Sequence, residues 1–293
     1  MNILFLGAGG PAAIGAIKSL NECDSQGEHK IVTVDCDELA TGFYFGDRNY
    51  VVPKYNDDHY YDEILKVVKG EDIDLVLPTS DDVVSISHAK DWLFSNVNLF
   101  MSDYESISKC VDKFLFYNEC KTKFSLPKTT DKFTPVFAKP RDGKGSRGIK
   151  LIDETQENYI YQEYLPGTEY TIDVLSDMNS NTLSVIPRIR LQTKAGISTK
   201  GRIVRNKFIE TECSKIVKHL NLKGVVCIQM KEDERGNPKF IEINPRFGGG
   251  TYFTTLAGVN FVKIILDLVD GKDITVPEPK EITILRHFEE VVV

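Results

Sequence analysis

Gly224-Val225-Val226-Cys227-Ile228-Gln229, followed by Asp233-Glu234-Arg235-Gly236-Asn237-Pro238 and then Glu242-Ile243-Asn244-Pro245-Arg246, reads as a β-hairpin running from Val225 to Asn244. Two β-prone strands flank a cluster of turn formers. If Gln229 sits opposite Glu242, the pairing sum puts the turn near Arg235-Gly236, inside that cluster. The period of two then places Glu242 and Asn244 on one face and turns Ile241 and Ile243 toward apolar packing. Gln229, Glu242 and Asn244 thus bring three oxygen-bearing side chains together. Magnesium takes oxygen ligands and normally binds a protein carboxylate together with nucleotide phosphates. The face therefore reads as a site for Mg2+, or Mn2+ in its place, with Glu242 bridging two ions. The plain alternative is a surface carboxylate with capping amides before Pro245 and Gly248-Gly249-Gly250.

Upstream, Phe137-Ala138-Lys139-Pro140 reads as a strand ending in lysine, followed by a loop containing Gly143, Gly145, Ser146 and Gly148. Glycines let backbone N–H groups close around phosphate oxygens, and a lysine supplies a point charge. A phosphate lid is one reading; a solvated hairpin loop explains the glycines but not Lys139 within an apolar strand. Tyr161-Gln162-Glu163-Tyr164-Leu165-Pro166-Gly167-Thr168-Glu169 follows, either an ordinary strand, turn and strand or an extended hinge. Such a hinge offers backbone donors and acceptors to an adenine edge, and Glu169 a carboxylate to ribose hydroxyls.

The first hundred residues alternate short apolar runs (Ile3 to Leu6, Ile31 to Val34, Tyr50 to Val52, Leu75 to Leu77, Asn98 to Met101) with helical stretches such as Ala12 to Leu20 and Tyr60 to Val68. Runs that do not alternate suit parallel strands buried on both faces, an open α/β sheet. Gly7-Ala8-Gly9-Gly10-Pro11 joins the first strand to the first helix, and Asp35 ends the second strand. A nicotinamide fingerprint would need a regular glycine spacing, which Gly15 breaks, so a structural turn or a substrate-anion site at the helix N-terminus stands beside it. One helical stretch is expected from Ile107 to Lys123, and a final strand or two from Ile282 to Val293.

The 293 residues carry a formal net charge of −7, with 41% hydrophobic and 27% charged residues. This is a globular balance, and it argues against broad contact with nucleic acid, which needs a basic face. The start reads as a strand rather than a signal peptide, and no apolar run approaches the ~18 residues of a membrane span. Six scattered cysteines and five unclustered histidines suggest reduced thiols, no zinc and a cytoplasmic location.

These segments, in this order, resemble the ATP-grasp superfamily, and within it the branch that looks like the carbamoyl-phosphate synthase large subunit. The resemblance implies an α/β (α+β) protein: an open parallel pre-ATP-grasp domain at residues 1–106, then an ATP-grasp domain at 107–293 with a reduced lid lobe at about 125–165. It implies ATP and Mg2+. By position, Lys113 and Lys139 match the nucleotide-phosphate cations, and Gln162, Glu163 and Leu165 the adenine hinge. Glu169 matches the ribose carboxylate, and Gln229, Glu242 and Asn244 the metal ligands. Arg246 matches the arginine on the transferred phosphoryl group. Arg190 and Lys200, in a stretch like the strand and loop facing the γ-phosphate, are candidates for the same chemistry; basic residues on an exposed strand edge explain them equally.

Three departures stand out. Gln162 replaces the usual hinge glutamate, with Glu163 as a substitute. The lid is short, which leaves support by a second copy of the chain open. The metal site has one sure carboxylate, since Asp173 lies too far from the hairpin in sequence to be added. The activity implied is ADP-forming ligation of a small-molecule carboxylate to an amine or thiol through an acylphosphate; a catalytically silent ATP-binding regulator or scaffold is the alternative. The acceptor is expected between Thr79-Ser80-Asp81-Asp82 and the Arg188 to Arg202 strand pair, with Asp81 or Asp82 either meeting a substrate ammonium or capping the next helix.

Overall fold

The structure is a computed structural model that describes residues 1–132, 137–142, 150–151 and 157–292. The N-terminal strands β1 (Asn2–Leu6), β2 (Lys30–Asp35), β3 (Arg48–Val51), β4 (Leu75–Leu77) and β5 (Asn98–Leu99) form a parallel sheet in the order β3-β2-β1-β4-β5. Ile3 and Phe5 pack on one face, and Leu4 and Leu6 on the other. Two-sided burial is why these strands show no polar alternation. Helices α1 (Pro11–Cys23), α2 (Tyr60–Gly70), α3 (Val83–Leu93) and α4 (Tyr104–Val111) come from this half and its edge. Pro11 occupies the first turn of α1, where its missing N–H costs nothing.

The expected single helix after Ile107 is two. Helix α4 stops at Asp112, and α5 (Lys113–Cys120) starts there, because the Asp112 side chain caps the N–H groups of Phe114 and Leu115. A small antiparallel sheet follows, made of β6 (Thr129–Thr130), β7 (Phe137–Pro140), β8 (Lys150–Leu151) and β9 (Tyr159–Gln162), in the order β6-β9-β7-β8.

The large antiparallel sheet contains β10 (Glu169–Ser176), β11 (Thr182–Lys194), β12 (Ile197–Ile203), β13 (Gly224–Glu232), β14 (Pro238–Asn244) and β15 (Thr283–Leu285), in the order β14-β13-β10-β11-β12-β15. A single short strand is thus described at the C-terminal end. Tyr170, Ile172 and Val174 pack with Ile209, Cys213, Ile216 and Val217 of α6 (Lys207–His219). By the period of two, Glu169, Thr171 and Asp173 present the other face. Helices α7 (Tyr252–Leu256) and α8 (Phe261–Val269) return to the first sheet, where Phe253, Phe261 and Ile265 join Ile3, Phe5 and Ile17 in one apolar cluster. The N-terminal sheet and the large sheet are thereby held with a cleft between them. Among the described residues no helix is long and apolar enough to cross a membrane.

Candidate active site

The cleft has a volume of about 820 Å³. One wall is the carboxyl ends of the parallel strands, where Gly7, Asp35 and Thr79 to Asp82 lie, as expected for ligand sites on open α/β sheets. The opposite wall is the polar face of the large sheet. Pairing across four strands sets Glu242, Gln229, Thr171 and Arg188 in one row.

The hairpin has Gln229 opposite Glu242 and its turn at Asp233 to Gly236, with Gly236 at φ 78. The register is not uniform, however. Ile243 pairs with Ile228, but Phe240 rather than Ile241 pairs with Met230, so Ile241 is the extra residue of a bulge. Phe240 and Ile243 are therefore the buried pair, while Ile241 faces the cleft, correcting the expected inward orientation. The bulge leaves the Ile241 carbonyl free to accept from Lys139 Nζ at 3.3 Å.

Two lysines lie beside the Glu242 strand. Lys113 Nζ stands 3.9 Å from Glu242 Oε2 and donates to the Arg141 carbonyl at 3.5 Å. Its position follows from Asp112, which caps α5 and also accepts from Arg141 at 2.6 Å, tying the helix start to the end of β7. Asp112 was legible as an N-cap signal but was not among the expected site residues. Lys139 is 6% exposed, and burial pushes its ammonium down to about 8, with Glu242 opposing and Lys113 adding to the shift.

Glu242 Oε1 accepts from Gln229 Nε2 at 3.1 Å and from Asn244 Nδ2 at 2.8 Å. Turning the Asn244 carboxamide over presents its oxygen instead, while Gln229 Oε1 already accepts from Arg190 Nη1. One carboxylate with two carboxamide oxygens is a hard donor set that fits Mg2+ completed by phosphate oxygens. Among the described residues no group of three or more His, Cys, Asp or Glu side chains forms an all-protein cage.

At the hinge, Gln162, Glu163 and Leu165 all line the cleft. Gln162 is buried and donates to Thr129 of β6 at 2.9 Å. The Glu163 carboxylate accepts from Lys239 Nζ at 2.8 Å and from the Lys128 N–H at 3.0 Å, and the Lys239 contact holds it below its ordinary range. Glu169 accepts from Arg190 Nη1 at 2.6 Å, and the same nitrogen reaches Gln229 Oε1 at 3.2 Å. Gly143, Gly145, Ser146 and Gly148 lie outside the described residues.

Arg246 lines the cleft and bonds Asp81 through Nε (2.9 Å) and Nη2 (2.8 Å). Asp82 is buried, and burial raises its carboxyl, opposed by hydrogen bonds from Ser80 and Tyr60. It makes no side-chain cap on α3. Lys200 stands apart. Along β12, Gly201 and Ile203 are buried whereas Lys200 and Arg202 are exposed, and Lys200 is not part of the cleft wall.

Sequence reasoning missed the pair at the centre of the sheet. Arg188 is 1% exposed and Asp173 0%, and Arg188 Nη2 donates to Asp173 Oδ2 at 3.3 Å. Asp173 also accepts from Thr251 Oγ1 at 3.0 Å and Thr254 Oγ1 at 2.9 Å. It is a buried brace between the sheet and α7, not a member of the metal face.

Residues 155–291 match the model of a family described as ATP-grasp in the biosynthetic pathway with Ter operon, and residues 3–100 match that of the PylC-like N-terminal domain. Among solved structures, the biotin carboxylase domain of Hydrogenobacter thermophilus 2-oxoglutarate carboxylase, in complex with MgADP and bicarbonate, superposes with a TM-score of 0.72 at 16% identity. The match covers 93% of this chain and 70% of that one. The L-amino acid ligase of Bacillus licheniformis gives 0.68 at 15% identity over 92% and 74%. N5-carboxyaminoimidazole ribonucleotide synthetase of Thermotoga maritima gives 0.67 at 15% over 95% and 78%. No curated protein sequence matches. The fold, the two family models and the cleft agree: the chain belongs to the ATP-grasp superfamily.

Proposed function

We propose that this protein is an ADP-forming ligase that activates a small-molecule carboxylate with Mg·ATP and couples it to an amine or thiol. The observation that carries the reading is the convergence of Lys113, Lys139, Gln229, Glu242 and Asn244 in one cleft beside an extended hinge. ATP would lie with its adenine at Gln162 to Leu165, its ribose at Glu169 and its phosphates at Lys113 and Lys139. Bound Mg2+, held by Glu242, Gln229 and Asn244, supplies charge neutralisation for phosphoryl transfer. Arg190 orients Gln229, and Asp81 orients Arg246 toward the transferring group. A carboxylate oxygen attacks the γ-phosphorus, the bond to the bridging oxygen breaks and ADP leaves. The nucleophile then displaces phosphate from the acylphosphate. The chain's contribution is positioning and electrostatics, with no covalent protein intermediate. Lys200 takes no part.

The test is ADP release from Mg·ATP across a panel of carboxylates, each with an amine or thiol. Acceptor-dependent release supports the ligase, whereas tight ATP binding with no release from any pair identifies a regulator.

A further inference from the structure

Arg188 carries most of its guanidinium donors unused. Among the described residues its Nε and Nη1 are buried and have no hydrogen-bond partner, and the one partner of its guanidinium, Asp173, is shared with two threonine hydroxyls. A buried donor left without an acceptor is costly, and more so when charged. Such a cost is tolerated beside a cleft where a ligand removes it, and Arg188 is part of the cleft wall.

The seat of this side chain is shaped for it. A Cβ at Gly250 would lie 2.6 Å from Arg188 Nη2, so only glycine leaves the guanidinium its place. The ring of Phe253 lies 5.3 Å away, and Arg286 stands 5.2 Å from the same ring while donating to the Gly249 carbonyl at 2.7 Å. Two guanidinium groups thus flank one aromatic ring, and the fully buried Asp173, bonded to Arg188, balances one of the two charges. Burial and then Arg188 itself lower the affinity of Arg286 for its proton, as like charges at close range require. The facing wall includes Gly10 and Pro11 at the N-terminus of α1, a 13-residue helix with no side-chain cap on its first N–H groups. Its positive end adds to the same field.

Resting on the ligase reading above, we infer that Arg188 anchors a carboxylate of the acceptor or nucleophile that is not the one phosphorylated, so that the enzyme acts on small amino acids or dicarboxylic acids. The distance sets the second half of this statement. Arg188 stands three strands from Glu242 along the cross-strand row, about 14 Å at a spacing of ~4.8 Å per strand. A group held there is separate from the one at the metal face.

The experiment compares the wild type with Arg188→Lys, which keeps the charge but loses the fork, and with the neutral pair Arg188→Met/Asp173→Asn. Melting temperature is measured in sodium acetate, sodium succinate or sodium phosphate at about 100 mM against sodium chloride of equal ionic strength, since a ligand of the folded state stabilises by mass action. MgADP affinity is measured in parallel. Acetate and succinate should raise the melting temperature of the wild type by several degrees. Both variants should lose that shift while binding MgADP within about twofold of wild type. No carboxylate shift in the wild type, or an equal shift in the variants, overturns the inference. So does a phosphate shift as large as that of succinate and equally lost in the variants, which would define a general anion site. A carboxylate shift that depends on Arg188, in a protein that neither binds MgADP nor releases ADP, would instead remove the ligase reading while leaving the anion site.

Discussion

At the hinge end of the cleft, charges face opposite charges: Lys113 meets Glu242, Arg190 meets Glu169 and Lys239 meets Glu163. At the end bounded by Gly250, two guanidinium groups flank the Phe253 ring, one of them bonded to the buried Asp173, and Arg188 keeps donors with no partner among the described residues. The three pairs of the first arrangement balance before ligand arrives, with Lys139 the added cation, so a nucleotide must exchange contacts with groups that already have partners. The second stores an unmet demand that an anionic acceptor satisfies best. One end is thus organised to hold a highly charged ligand without strong prior repulsion, the other to select a partner by its carboxylate.

The largest expected effect falls on the charge that balances the first end. Glu242→Ala removes the carboxylate of the proposed metal face and the counter-charge of Lys113, so Mg-dependent ADP release should fall by about a thousandfold while circular dichroism stays native. Unchanged release would sink the assignment of the metal face.

Next comes Lys139, whose proton is coupled to burial. Its folded-state value of about 8 lies below the unfolded value of about 10.4. The folded protein therefore pays a penalty for the charged form that is complete below pH 8 and fades as pH rises toward 10.4. Lys139→Met should raise the melting temperature at pH 7 and weaken MgADP binding. In the wild type, MgADP affinity should decline as pH rises through about 8, because phosphate needs the ammonium, and Lys139→Arg should remove that limb of the profile. An unaltered limb in Lys139→Arg would show that another group titrates.

The two ends also differ in how far the sequence discloses them. The hairpin is legible because its ligands lie within one local unit, and the period of two plus turn chemistry fixes Gln229 against Glu242. The bulge at Ile241 is not legible there, since one extra residue leaves the turn composition unchanged. It is the bulge that turns a carbonyl toward Lys139. At the other end, Asp173 meets Thr251 and Thr254 across 78 and 81 residues of chain. No periodicity spans that distance, so Arg188 looked like one more basic residue on a strand. Lys200 shows the converse: it shares the basic character of Arg190 but falls on the exposed side of β12. The parallel sheet was readable from its unbroken apolar runs, whereas the split of the helix at Asp112 depended on weighing a single capping side chain.

A middle-sized effect separates the ends directly. Gly250→Ala would push a methyl group against the Arg188 guanidinium, an overpacking that costs about 1–3 kcal/mol. The KM for the carboxylate substrate should rise by roughly tenfold or more, since each ~1.4 kcal/mol is a factor of ten, with MgADP affinity unchanged. Equal loss of both affinities would mean that the ends are one mechanical unit.

The smallest effect belongs to Glu163. Its carboxylate is about one-third exposed and engaged with Lys239, and exposed ion pairs contribute only ~0–1 kcal/mol. Glu163→Gln keeps the size of the side chain and the acceptor for the Lys128 N–H. The melting temperature should move by no more than a few degrees, and the preference for ATP over GTP should not change, because the hinge contact left to this residue is its backbone. A shift in nucleotide preference would show that the carboxylate leaves Lys239 when adenine binds. The hinge would then share with Arg188 the property of selecting its ligand by a charge held in reserve.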